Sequence, residues 1–306
     1  MNAVPSVAVL QLLVQFSNAQ TASPCMIEPD GAGHVTVPDG TLDIPERAFE
    51  DCTALVSISL PDGVQNIGDY AFKSCTGLVN ISLPDSVQGI GYWAFAYCSN
   101  LGEITIPAGV PEIKAEAFFR CESLTSVSLP SSVTQLGNHA FAHCSALTSM
   151  SLPEGLRRIL YSVFEGCESL QSVSFPSSLT QIVNRAFWRA RALSHAPLPP
   201  NLQGSLPYRS FCETALTSVS IPPGIHTIDK EAFMNVAELV NVSLGSVTNI
   251  GLRAFKGCTS LSSISIPPSV TSIADDAFVG SALPSPPPAP PRAPPPPALP
   301  PPPSAP

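Results

Sequence analysis

The sequence predicts an α/β repeat solenoid, in which stacked turns of 22–24 residues form a parallel β-sheet on one face. Three observations lead to this fold class. Phenylalanine recurs eleven times at intervals of 22–24 residues, a short alternating apolar segment precedes a proline in most units, and 15 of the 35 prolines fall within residues 284–306. A unit of this size cannot bury its own apolar side, so it must stack on its neighbours. The sequence therefore divides into an N-terminal segment, about eleven repeats and a proline-rich, disordered tail.

Residues 1–34 are expected to form a signal peptide or an N-terminal cap. An apolar run from Val7 to Val14 is broken only by Gln11, and Ser17 and Ala19 are small residues at the spacing that signal peptidase requires. No Lys or Arg precedes the run. The residues therefore leave two alternatives open, a cleaved secretion signal and a disordered or capping N-terminus.

Residues 35–283 contain the repeats. Alternating apolar residues predict a strand with one buried face, and the proline that follows ends it, because proline has no N–H to donate to a sheet. The chain is then expected to cross back and to form a short helical or 3₁₀ turn around the phenylalanine. In the second full repeat the defining residues are Leu55, Ile58, Leu60, Pro61, Val64, Ile67, Ala71, Phe72 and Cys75.

Seven of the nine cysteines occupy the same place in their repeats, three residues after the phenylalanine: Cys52, Cys75, Cys98, Cys121, Cys144, Cys167 and Cys258. Equivalent residues on stacked turns have parallel Cβ vectors, which disfavours a relaxed disulfide between them. We therefore interpret them as a column of small buried thiols. Cys25 and Cys212 lie outside the column, and the sequence identifies no partner for Cys25.

The unit Leu-x-x-Ile-x-Leu-Pro-x-x-Val-x-x-Ile-x-x-x-Ala-Phe-x-x-Cys resembles the leucine-rich repeat of the BspA type, named from bacterial surface antigens. The resemblance covers residues 35–283 and implies a right-handed solenoid that serves in adhesion or recognition without enzymatic activity. Single units depart from this pattern. Ala190 replaces the cysteine, Ser205 the second isoleucine and Gly245 the proline, and Cys212 directly follows its phenylalanine.

Residues between the buried strand positions should form an exposed, polar and nearly uncharged sheet face. We expect a protein or glycan ligand to bind there, at Ser126, Ser128, Ser149, Ser151, Ser172 and Ser174. The alternative is that serine is simply a small, soluble residue suited to a crowded face.

Basic residues gather in three adjacent units, at Arg157, Arg158, Arg185, Arg189, Arg191, His195 and Arg209. Of these, Arg185, Arg189 and Arg191 are the candidates to bind an acidic partner. The alternative is sequence drift along a solvated edge.

Composition and motifs exclude several functions. A net charge of -9 disfavours nucleic acid as a partner, and no apolar stretch is long enough to span a bilayer. The chain has no phosphate-binding loop, no Cys-x-x-Cys pair and no Gly-x-Ser-x-Gly elbow. His139 and His143 lie four residues apart, but no third metal ligand adjoins them. We expect no enzymatic activity, no cofactor and no metal.

Residues 284–306 should form an extended polyproline tail that acts as a spacer, or that presents Pro287, Pro290 and Arg292 to a proline-binding domain of the SH3 type. Two function classes follow. The first is an extracellular or surface recognition module, and the second is an intracellular scaffold whose tail recruits such a domain. Asn80 and Asn241 begin glycosylation sequons, but both lie on predicted strands.

Overall fold

The structure is a computed structural model that describes residues 24–283. These residues form the predicted repeat solenoid of parallel strands, with about ten turns where the sequence predicted about eleven repeats. The candidate signal sequence before residue 24 and the proline-rich tail after residue 283 lie outside the described residues.

The predicted strands line one face of the solenoid, which we call the first sheet, and they pair there in several short parallel ladders rather than in one continuous ladder. Strands are numbered along the chain. Each strand of the first sheet is only two or three residues long, and β3 and β11 end two residues before Pro61 and Pro153. Equivalent residues pair in parallel, so that Ser149 lies beside Ser172. The strands of this first sheet are β1 (His34–Thr36), β3 (Ser57–Ser59), β5 (Asn80–Ile81), β7 (Glu103–Thr105), β9 (Ser126–Ser128), β11 (Ser149–Ser151), β13 (Ser172–Ser174), β16 (Ser218–Ser220) and β18 (Asn241–Ser243).

A second parallel ladder runs along another face, where the sequence predicted only a segment that crosses back. Its inward residues are the isoleucines of the Val-x-x-Ile segment, and Ile44, Ile67 and Ile90 pair in register. The strands of this second sheet are β2 (Asp43–Ile44), β4 (Asn66–Ile67), β6 (Gly89–Ile90), β8 (Glu112–Ile113), β10 (Gln135–Leu136), β12 (Arg158–Ile159), β14 (Gln181–Ile182), β15 (Gly204–Leu206), β17 (Ile225–Ile228), β19 (Asn249–Ile250) and β20 (Ser272–Ile273).

The predicted helical turn is wrong, since residues 24–283 contain no helix and the fold there is built of strands and turns. The reason lies in the backbone. Tyr70 and Ser74 adopt the left-handed conformation, with φ of 59° and 60°. The amide of Phe72 donates to the carbonyl of Ala94 on the next turn of the solenoid, at 2.8 Å, rather than to a carbonyl four residues earlier. Hydrogen bonds between turns therefore replace those that a helix would make.

The core consists of residue columns, one member from each turn. Eleven phenylalanine rings stack from Phe49 to Phe278, with adjacent ring centroids 5.2–5.9 Å apart and interplanar angles of at most 11°. The cysteine column is buried beside it, and the thiol of Cys121 donates to the carbonyl of Phe95 at 3.1 Å. The buried-thiol interpretation therefore holds from Cys75 onward, where the column cysteines are unbridged.

The first member of the column differs, because Cys52 forms a disulfide with Cys25. Cys25 precedes the first strand, so the bond ties the N-terminal cap to the first turn. Met26 and Ile27 pack against the same end of the core, and the amide of Met26 donates to the carbonyl of Ala48 at 2.8 Å. The cap thus covers apolar surface that has no preceding turn to bury it.

Candidate functional site

The six serines predicted as a binding surface lie together on β9, β11 and β13, and we call them the serine face. Five are exposed and Ser172 is half-buried. Between them, the inward residues Val127, Met150 and Val173 contact the core. Alternation along each short strand therefore presents two hydroxyls per turn to solvent.

None of the six hydroxyls hydrogen-bonds to another group among residues 24–283, so each is available to a ligand. Strands in a sheet lie about 4.8 Å apart, and alternate residues on one strand are about 6.6 Å apart. The serine face is therefore a regular array of groups that both donate and accept hydrogen bonds. Glu103 and Thr105 border the serine face on one side. On the other side it is bordered by His195, whose backbone forms a β-bridge with that of Ser172.

Two hollows of the first sheet lie farther toward the C-terminus than the predicted serines. A shallow hollow of about 610 Å³ is lined by serines and asparagine of three successive turns, including Ser218, Asn241 and Ser263. A second hollow of about 400 Å³ adjoins it at His195 and Pro197. The sequence prediction named the most regular serines and missed this concavity, because curvature is not visible in the repeat pattern.

The basic residues that cluster in the sequence separate onto three faces. Arg157 and Arg158 lie on the second sheet, and His195 lies on the first. Arg185, Arg189 and Arg209 lie on the face formed by the turns around the phenylalanines, which we call the turn face. Position within the repeat decides the face, so nearness along the chain did not predict nearness in space.

On the turn face, three arginines surround one indole. The guanidinium carbons of Arg185, Arg189 and Arg209 lie 4.9, 4.8 and 5.0 Å from the centre of the Trp188 ring, within the range of cation–π attraction. Glu213 accepts from the indole N–H at 3.4 Å and lies 3.5 Å from Arg189 and 3.7 Å from Arg191.

Carboxylates neutralise most of this cluster. Arg209 pairs with the buried Glu231 at 2.6 Å, and Arg191 also lies 3.7 Å from Glu168. Arg185 has no carboxylate within 4.0 Å among the described residues, and its Nε is buried without a hydrogen-bond partner. The three predicted arginines are thus near one another, but two of them are already paired.

The turn face also carries an aromatic ridge that sequence reasoning missed. All five tyrosines and both tryptophans of the chain lie on it: Tyr70, Tyr92, Trp93, Tyr97, Tyr161, Trp188 and Tyr208. Phe119 links the first part to the histidines, with its ring 5.4 Å from Tyr97 and 5.6 Å from His143. Tabulating the residues by position in the repeat would have revealed it, since Tyr70, Trp93 and His139 each stand two residues before a core phenylalanine.

His139 and His143 belong to this ridge rather than to a metal site. Burial lowers the pKa of both imidazoles below its ordinary value. The ring of His139 lies 5.1 Å from that of Tyr161. Across residues 24–283, no group of three or more His, Cys, Asp or Glu side chains is placed to hold a metal ion.

The thiol column offers no ready nucleophile. Burial raises the pKa of the Cys75, Cys167 and Cys258 thiols to about 12, and that of Cys98 well above its ordinary value. Because the thiolate is the reactive form, these cysteines are inert in the folded protein. Their role is to fill the core.

Comparison with known proteins identifies the family. The model of the BspA type leucine rich repeat region matches six copies, over residues 32–148, 111–240 and 198–285. The chain belongs to the BspA-type leucine-rich repeat family. No curated protein matches it significantly.

Solved structures of leucine-rich repeat proteins have similar folds. A leucine-rich repeat protein from Bacteroides ovatus is 26% identical, with 81% of this chain and 73% of that chain covered and a TM-score of 0.69. A leucine rich cell surface protein from Faecalibacterium prausnitzii is 29% identical, with coverage of 74% and 77% and a TM-score of 0.43. Within the described residues, no helix is present that could cross a membrane.

Proposed function

We propose that this BspA-type protein is a non-enzymatic recognition or adhesion module, displayed outside the cell, that binds a protein or glycan through its first sheet. The serine face is the centre of the contact, and the hollow around Ser218 and Asn241 extends it toward the C-terminus. Extended solenoid surfaces are well suited to such binding, because they present many shallow contacts on a preformed scaffold.

The observation that carries the proposal is the array of six unpartnered hydroxyls on β9, β11 and β13. The array is uncharged, and Ser149 and Ser151 on β11 pair in register with Ser172 and Ser174 on β13, with β9 next to β11 on the preceding turn. A ligand can therefore bind without displacing protein hydrogen bonds or separating buried ion pairs, both of which cost free energy.

The Cys25–Cys52 disulfide supports the extracellular setting. Disulfides form and persist in oxidising compartments and are rare in the cytosol. The alternative, an intracellular scaffold whose tail recruits a proline-binding domain, requires the bond to persist in a reducing compartment. The tail itself lies outside the described residues, so the disulfide is what favours the first function.

The test compares two triple variants of the full chain. Ser126→Arg, Ser149→Arg and Ser172→Arg place three long cations on the serine face. The control places the same charges at Thr53, Thr76 and Thr259, which are exposed at the corner after the cysteine column. Labelled protein is applied to a glycan microarray and to immobilised extracellular-matrix proteins, and circular dichroism checks that both variants fold.

The native chain should bind a subset of these ligands, and the serine-face variant should lose that binding while the control keeps it. Equal binding by all three proteins would contradict the serine face as the contact. Equal loss by both variants would mean that added charge, rather than the position of the contact, explains the effect.

A further inference from the structure

The second sheet has a hollow of its own, on a different face from the serine array. It measures about 690 Å³ and is lined by residues of three successive turns, including Thr134, Gln135, Arg157, Arg158 and Ser178. The half-buried Leu160 forms its apolar floor, and Leu136 lies fully buried beneath.

Arg157 and Arg158 are unusual among the basic residues of the chain. Both are exposed, and neither has a carboxylate within 4.0 Å among residues 24–283, whereas most other lysines and arginines there form ion pairs. Their neighbours on adjacent turns are neutral: Arg158 pairs in register with Gln181, and Gln135 precedes it in the same column. Two uncompensated cations therefore stand together on a protein of net charge -9.

The neutral groups around the two arginines can still bind a ligand. The side-chain amides of Gln135 and Gln181 make no hydrogen bond within the described part of the chain, and such an amide both donates and accepts. The hydroxyl of Thr134 donates to the carbonyl of Pro111 at 3.4 Å, which leaves its oxygen able to accept. The hollow thus combines two cationic forks, neutral polar groups of both kinds and an apolar floor.

We propose that this hollow binds an acidic sugar unit of a glycan, such as a uronate. A guanidinium matches a carboxylate with two parallel hydrogen bonds. Sugar hydroxyls, which donate and accept, suit Gln135 and Thr134, and the C–H surface of a pyranose ring suits the exposed part of the Leu160 side chain. The site is separate from the serine face, so it can be present even if that face binds nothing.

The probe is tetragalacturonate, measured against the full chain by isothermal titration calorimetry at low salt. We expect a 1:1 complex whose affinity falls by roughly tenfold or more in the Arg157→Gln/Arg158→Gln variant, because charge-assisted hydrogen bonds are lost. Glutamine already occupies the neighbouring positions 135 and 181 of the same column, so the fold should tolerate it. The control, Arg120→Gln/Arg253→Gln, removes the same charge from the turn face and should bind as the native chain does.

Two further probes separate the chemistry. Methyl-esterified tetragalacturonate has the same hydroxyls without the charge. The native chain should bind this ester no more tightly than the Arg157→Gln/Arg158→Gln variant binds tetragalacturonate. Tetraglutamate has the charge without the sugar and should also bind weakly. The proposal fails if tetragalacturonate does not bind the native chain, if the glutamine variant binds it equally well, or if tetraglutamate binds as tightly as the saccharide.

Discussion

Truncation of one phenylalanine in the middle of the stack should weaken the whole solenoid. Phe141 is fully buried, and its ring lies 5.4 Å from that of Phe118 and 5.9 Å from that of Phe164. Replacing a buried phenylalanine by alanine costs about 3–5 kcal/mol, because apolar contact is lost and a cavity remains. We expect Phe141→Ala to lower the free energy of unfolding by about 4 kcal/mol.

The matched control is the same substitution at the end of the stack. Phe278 is 6% exposed and, within residues 24–283, stacks on one ring, that of Phe255. One aromatic pair contributes about 0.5–1.5 kcal/mol beyond burial, so Phe278→Ala should cost about 1 kcal/mol less than Phe141→Ala.

Urea unfolding provides the assay, followed by circular dichroism for the whole chain and by tryptophan fluorescence for its two parts. Trp93 and Trp188 lie on opposite sides of Phe141 along the chain, and variants that keep only one of them report each part separately. The two transitions should coincide in the native chain and separate in Phe141→Ala, since each turn contacts only its neighbours. Equal costs at Phe141 and Phe278, with coincident transitions in both variants, would refute a continuous ring stack as the core.

Two other predictions concern the cap and the aromatic ridge. Thiol titration of the denatured, unreduced chain should find seven of the nine cysteines free. The folded chain should show no reactive thiol, since all seven free cysteines are buried. Nine free thiols in the denatured chain would disprove the disulfide. Cys25→Ser should cost roughly 3–4 kcal/mol on the chain-entropy model, because the disulfide closes a loop with a sequence separation of 27. Burial lowers the pKa of His139 and His143, so the unfolded chain binds protons more readily than the folded one. Stability should therefore be full above the unfolded pKa of about 6.5 and decline as the pH falls below it. The His139→Gln/His143→Gln variant should lose less free energy of unfolding between pH 7 and pH 5, measured by urea titration. A loss equal to that of the native chain would contradict burial of these two histidines as the cause.

The periodicity of the sequence was enough to predict the solenoid, the first sheet and the buried columns. Each column repeats one residue type at one place, so Phe72 and Cys75 are recognisable without coordinates. The second sheet was not predicted, because the spacing of Val64 and Ile67 does not alternate and the strand there, Asn66–Ile67, is only two residues long. The helical turn was wrongly predicted, since the sequence does not reveal that the Phe72 amide bonds to the next turn.

The candidate sites were harder to predict, for two physical reasons. Disulfide pairing depends on the path of the chain, and the Cys25–Cys52 pairing cannot be deduced from sequence alone. Surface grouping depends on position within the repeat, so Arg158 and Arg185 lie on different faces although both seemed to belong to one basic cluster. The six serines could be placed together on one face because they occupy two positions of the repeat, two residues apart on each strand.

Hydrogen–deuterium exchange of the full chain, with and without a ligand found on the arrays, tests the proposed recognition surface most directly. The account predicts slower exchange at residues 125–129, 148–152 and 171–175, which contain the serine-face strands. The turn segments around Tyr97 and Trp188 should exchange at unchanged rates. Protection of those turn segments, with no change along the serine face, would contradict recognition through the first sheet.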